Sequence, residues 1–252
     1  MFVGILAFKL PIESLLLKLG LSEFESHHLA GIPSRVLIIV FSVFLIFKKN
    51  IQNVSGFSTP FKISNIQAVA FSLTIFLSVL YSKIDTFEDS GLSNIIIFLL
   101  SALLVGLTEE IAFRSLIFPL LAKQTNQIVL SMIVSSMIFG SVHYINLFKQ
   151  PDNIAGISSQ ALLAFSIGMF FCGLLLRTRN IYVLGFLHFL FNISFGSGEL
   201  KLLGESTVAS TSSSFHWDFG SIVGTLTVFL LIAISGLVMK KLANDDEFLD
   251  EL

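Results

Sequence analysis

Apolar residues run along this chain in blocks long enough to cross a bilayer, divided by short polar or charged breaks. A hydrocarbon core of ~30 Å takes about 20 helical residues. Val36–Phe47 is a short block that extends back towards Ile32 and is closed by Lys48-Lys49. Ile63–Tyr81 has full length, between Lys62 and the polar loop Lys83–Asp89. Leu92–Leu121 is longer than one crossing needs, and Pro119 near its end allows a bend. Asn126–His143 follows, then a polar turn around Lys149–Asn153. Ile154–Leu176 stops at Arg177-Thr178-Arg179, and Ile181–Phe195 is short. The Ser/Thr/Gly-rich stretch Gly196–Trp217 reads as a loop outside the membrane, and Ser221–Met239 is the last block before Lys240-Lys241 and an acidic tail. The pattern predicts seven spans, with an eighth if Met1–Gly20, interrupted by Pro11 and Glu13, also crosses. Glu23–His28, with its adjacent histidines, reads as a solvated or headgroup-level loop.

The predicted fold is all-α: a polytopic membrane protein whose seven to eight transmembrane helices bundle around an intramembrane cavity. One integral membrane domain covers residues 1–252, without a soluble domain, repeat or linker. Composition agrees. Of 252 residues 54% are hydrophobic and 13% charged, against about 25% charged in soluble domains. A net charge of −2 and the lack of a basic cluster exclude nucleic acid as a partner. The single cysteine, Cys172, lies in an apolar run and reads as a buried structural thiol. Met1–Phe8 lacks the basic start and small-residue cleavage site of a signal peptide. Alternating the seven spans gathers Lys48, Lys49, Lys62, Lys123, Arg177, Arg179, Lys240 and Lys241 on one side. By the positive-inside rule that side, with the C-terminus, is cytoplasmic.

Against this apolar background a few polar residues stand out. Glu109-Glu110-Ile111-Ala112-Phe113-Arg114 puts three charges inside the longest block. Each costs about 2.5–3.5 kcal/mol on insertion scales, so a function is expected of them. Glu110 and Arg114, four apart with the acid first, are oriented for an ion pair. Glu109 lies about 100° round the helix and faces elsewhere, which leaves it as the candidate base. Phe139-Gly140-Ser141-Val142-His143 and His188-Phe189-Leu190-Phe191-Asn192 add two imidazoles and an amide, with His188 and Asn192 on one helix face. Counting ~1.5 Å per residue from the cytoplasmic ends puts Glu109 roughly 18 Å deep, His143 roughly 24 Å, and His188 and Asn192 roughly 12 and 18 Å. Four residues from three spans in one slab can line a single water-filled pocket.

Such a set supports hydrolysis. A carboxylate takes a proton from water while an imidazole orients it, and an imidazole beside a carboxamide stabilises an oxyanion. Glu109, His143 and His188 are also candidate ligands for a divalent metal such as zinc. The His-Glu-x-x-His spacing is absent, so the metal-free general base stands ahead of metal-bound water. Ser141 and His143 do not face each other along a helix, and no aspartate lies mid-span. Serine and aspartyl intramembrane chemistry are thereby disfavoured.

Glu109-Glu110-x-x-x-Arg114, Phe139-x-x-x-His143 and His188-x-x-x-Asn192, in that order on separate spans, resemble the three signature motifs of the CPBP family of intramembrane proteases. That family is also called Abi, or type II CAAX prenyl endopeptidases. The resemblance runs from about residue 92 to 195. It implies an eight-span fold with a cavity open to one face. It also implies that Glu109 and His143 activate water, that His188 and Asn192 stabilise the oxyanion, and that Glu110 and Arg114 support them. One departure is Ser115, where many members have Gly after the Arg. The family has been described both as metallo- and as glutamate-type peptidases, and so leaves the cofactor as none or a divalent metal. The implied partner is a membrane-embedded or lipid-modified, CAAX-like peptide or protein, and the compact chain is more like members of the bacterial plasma membrane. The leading expectation is an intramembrane endopeptidase. Its alternatives are a non-enzymatic immunity or scaffold protein that binds a bacteriocin-type peptide in the same cavity, and a proton-coupled transporter. A transporter would show inverted repeats, and none is visible.

Overall fold

The computed structural model describes residues 2–57, 66–81, 91–148, 150–196, 219–243 and 245–252, and every regular element among them is helical. In order these are α1 (Phe2–Lys18), α2 (Glu23–Ala30), α3 (Ile32–Lys48), α4 (Ile66–Tyr81) and α5 (Leu92–Glu110). A π-helical stretch, Ile111–Ile117, leads into α6 (Phe118–Thr125) and α7 (Ile128–Val142). After the tight 3-10 turn His143–Phe148 come α8 (Ile154–Thr178), α9 (Ile181–Gly196), α10 (Phe219–Lys241) and α11 (Asp245–Asp250).

Among the described residues Glu23–Lys48, Leu92–Thr125, Ile128–Phe148 and Ile154–Thr178 are long and apolar enough to cross a membrane, and Ile181–Ser194 is a shorter apolar helix. Val40, Phe41 and Phe44 on α3, and Leu230 and Leu231 on α10, are each more than half exposed. Water would not tolerate so much apolar surface, and lipid covers it without cost. The chain is an all-α, multi-pass membrane protein. The loops expected over Lys83–Asp89 and 197–217 fall outside the described residues, as do Lys62 and Lys149.

Two expectations change. Glu23–His28 is not a loop but the body of α2. Ser22 caps it by accepting from the Glu25 N–H, while the Glu25 carboxylate accepts from the Ser22 N–H at 2.9 Å. This reciprocal box starts the helix and turns His28 inward. The long block also bends differently from expectation, since its irregularity is the π stretch directly after Glu110 and Pro119 lies in the first turn of α6. Proline has no N–H, so the bond that an α-helix would direct to the Ser115 carbonyl cannot form. That loosens the turn just upstream.

The helices fall into two compact units. One comprises Met1–Phe44, Ile66–Ala112 and Tyr182–Ala209, the other Leu45–Asn65, Phe113–Ile181 and Ser210–Leu252. In the second unit α8 is buried along most of its length between α7 and α10. Backbones meet there directly. A Cβ on Gly140 would stand 2.6 Å from the Ala161 carbonyl oxygen, and Gly173 and Gly236 similarly press on each other's helices. Small residues at crossings are how membrane helices gain packing when lipid is as apolar as their side chains. The same unit holds a clamp formed by the acidic tail. Phe248 of α11 is fully buried and stacks on Phe118 at 5.5 Å, with the Arg179 guanidinium 4.5 Å from its ring.

Candidate active site

Helix α5 ends in two carboxylates, and α9 meets both with one imidazole. His188 Nδ1 lies 2.7 Å from Glu110 Oε1, and His188 Nε2 lies 3.4 Å from Glu109 Oε2. The Glu110 side chain is fully buried (0% exposed) and that of His188 nearly so (4%), whereas Glu109 keeps 26% of its exposure. The three groups form a row from a dry carboxylate, through a ring, to a carboxylate that solvent or substrate can reach. At 2.7 Å the inner contact has the length of a charge-assisted bond. With Glu110 accepting, Nδ1 carries hydrogen and Nε2 is presented to Glu109.

This differs from the helical-wheel expectation that Glu109 faces away from Glu110. An imidazole has nitrogens on two edges, so carboxylates that diverge on α5 can still reach one ring. Both of them find His188.

The rest of α5 explains how α9 is held there. Ala102, Gly106 and Glu110 recur every four residues and share a face. Asn192 Nδ2 donates to the Ala102 carbonyl at 3.3 Å. At Gly106 a Cβ would be 3.0 Å from Phe189 N and 3.1 Å from Gly185 O, so the two backbones touch one turn below the carboxylates. Numbers fall along α9 from Asn192 to His188 as they rise along α5 from Ala102 to Glu110, and the helices therefore run antiparallel. That bond uses one of the two hydrogens of the Asn192 amide.

The first unit thus brings together Glu109, Glu110, His188 and Asn192. It also contains a polar group that sequence reading misses. Arg35 Nη1 donates to Ser101 Oγ at 3.0 Å, and His28 Nδ1 lies 3.1 Å from the same oxygen. A signal for it exists in the sequence. Arg35 is an ionisable residue within an apolar stretch, and a span begun at Val36 leaves it just outside.

His143 and Arg114 belong to the second unit. His143 Nδ1 is 3.1 Å from the Phe139 carbonyl oxygen, which can only accept, so Nδ1 carries hydrogen. The ring is half-buried, edge-on to Phe139 at 5.4 Å. Arg114, which spacing pairs with Glu110, is buried among aromatic rings, its guanidinium 4.2 Å from the centre of Phe139 and 5.7 Å from that of Phe171. Faces of aromatic rings attract a cation. Ser115, the departure from the family pattern, is accommodated by its hydroxyl, which donates to the Ser55 carbonyl at 2.6 Å. Cys172 is buried in α8, as expected.

Among the described residues no group of three or more His, Cys, Asp and Glu is placed to hold a metal ion.

Residues 91–194 match the family model described as Type II CAAX prenyl endopeptidase Rce1-like. The matched segment contains all three motifs, from the first turn of α5 nearly to the end of α9. No curated protein and no solved structure gives a significant match.

Proposed function

We propose, from the match of residues 91–194 to the type II CAAX prenyl endopeptidase family model, that this chain is an intramembrane endopeptidase. Its substrate on this reading is a membrane-embedded or lipid-modified peptide, hydrolysed by water that a glutamate and a histidine activate. The observation that carries the proposal is the row Glu110–His188–Glu109, buried at one end and accessible at the other.

Glu109 is the base. Its carboxylate takes a proton from water as the oxygen attacks the peptide carbonyl carbon. Glu110 holds Nδ1–H of His188 and so fixes the ring, as the acid of a catalytic triad does. When Nε2 also carries hydrogen, it points at Glu109 in the resting site. Once Glu109 has taken the water's proton its pull on that hydrogen weakens, and the Nε2–H is left to donate to the developing oxyanion. The other amide hydrogen of Asn192 is the second donor. Glu109 then returns its proton to the departing amine as the C–N bond breaks. For His143 we carry over only the role that the family resemblance implies, a share in activating the water. No step is routed through a metal. The basic side gathered by Lys48, Arg177, Arg179 and Lys240 supports a cytoplasmic C-terminus.

The test is peptide mass spectrometry of membranes containing either the wild-type protein or Glu109→Gln. Peptides with new termini should accumulate only with wild type. If both membranes yield the same products while a bacteriocin-type peptide is still bound, the protein is a binding factor and not a peptidase.

A further inference from the structure

Arg35 stands in the first turn of α3, inside the apolar stretch Glu23–Lys48. A cation at such a place is costly to keep without a use. Two neighbours position its guanidinium. Nη1 donates to Ser101 Oγ at 3.0 Å, and the group folds back over Gly31, where a Cβ would lie 2.9 Å from Cζ and Nη1. Because arginine can only donate, Ser101 accepts from it, and Nδ1 of the buried His28 lies 3.1 Å from the same oxygen. A neutral hydroxyl thus holds the cation in place without neutralising it. Among the described residues no carboxylate comes within ion-pair distance of Arg35. The side chain is half-buried, and the bond to Ser101 uses one of its five N–H donors.

We propose that Arg35 is the receptor for the free α-carboxylate at the C-terminus of the peptide substrate. The inference rests on the peptidase reading and extends it. A guanidinium fork matches a planar carboxylate with two parallel bonds. A lipid phosphate fits less well, because it would bring more negative charge towards Glu109 with one arginine to balance it. Ser101 precedes Glu109 by eight residues, about 12 Å of helix rise. An extended peptide covers ~3.3 Å per residue. A carboxylate bound beside Ser101 therefore places a bond a few residues upstream at Glu109.

The experiment uses binding, so that it does not depend on cleavage. Full-length Glu109→Gln protein in nanodiscs is offered one pool of N-terminally palmitoylated random heptapeptides, made once as free acids and once as C-terminal amides. Acids should be retained about ten- to hundredfold over amides, the worth of a hydrogen-bonded charge pair. Adding Arg35→Gln should abolish that preference, Arg35→Lys should keep part of it, and Gly31→Ala should weaken it by displacing the guanidinium. Equal retention of acids and amides overturns the proposal, and so does a preference that survives Arg35→Gln. Capture of both pools that anionic lipid or inorganic phosphate removes would assign Arg35 to a phosphate instead. If acids are preferred through Arg35 but wild-type protein cleaves none of them, the receptor stands and the peptidase reading fails.

Discussion

His188 and His143, the two imidazoles of the matched segment, are held by opposite kinds of partner. Both point Nδ1 at an oxygen, at 2.7 Å for His188 and 3.1 Å for His143. For His188 that oxygen belongs to a buried carboxylate, and a second carboxylate waits at Nε2. For His143 it is a backbone carbonyl one turn back on its own helix, and the ring is half-open. The first ring is fixed by charge from another helix, the second by local geometry alone. A ring gripped by acids on both edges suits hydrogen-bond donation and proton exchange. The same residue type is thus specialised by what stands behind it.

The sharpest way to break this comparison is Glu109→Gln, which removes the acid at the outer edge of His188. Hydrolysis in purified protein should fall by about 10³–10⁴-fold with the helical content intact, the range of a lost general base. Glu110→Gln comes next. It keeps an oxygen near Nδ1 but loses the charge, and should cost roughly 10²-fold in rate and about 1–3 kcal/mol in thermal stability. Combined with His188→Gln it should add little further loss, because residues that act as a unit are non-additive. His143→Gln should also lower the rate, by about 10²-fold, but its effect should add to that of Glu110→Gln. Equal coupling of both histidines to Glu110 would end the distinction.

Smaller effects sharpen the geometry. Gly106→Ala puts a methyl 3.0 Å from Phe189 N, against a backbone that cannot give way. The rate should drop about tenfold, the cost of misplacing catalytic groups by a fraction of an ångström. Gly185→Ala meets the flexible end of Leu107 instead and should be milder in the same assay. Smallest in activity is Phe248→Ala, in the tail clamp. It should lower stability by about 3–5 kcal/mol, as for other buried phenylalanines, and leave the rate per folded molecule unchanged.

The helices and the motif residues are legible because both signals are local. Apolar runs mark spans whatever packs against them, and Glu109, His143, His188 and Asn192 contrast with their neighbours. What stays hidden depends on which faces meet. The convergence of Glu109 and Glu110 on one ring requires α9 to lie against α5, and the contact at Gly106 brings it there. Gly106 looks like any glycine in an apolar run. The π stretch is hidden because its cause lies beyond it, at Pro119, whose missing N–H acts on the turn upstream. His28 reads as a loop residue because Glu23–His28 is polar, although Ser22 and Glu25 have the spacing of a capping box. The second-unit clamp is hidden for another reason. An acidic tail reads as solvated until Arg179 and Phe118 are found on either side of Phe248.

The central claim is that carboxylate and imidazole alone activate the water. Its most direct test is the hydrolysis rate of purified protein in nanodiscs after exhaustive chelation, with metal content measured on the same sample. The account predicts an undiminished rate at negligible metal content, and a loss of about 10³-fold or more in Glu109→Gln. A rate that vanishes on chelation and returns with stoichiometric zinc, or a Glu109→Gln protein as fast as wild type, would contradict it.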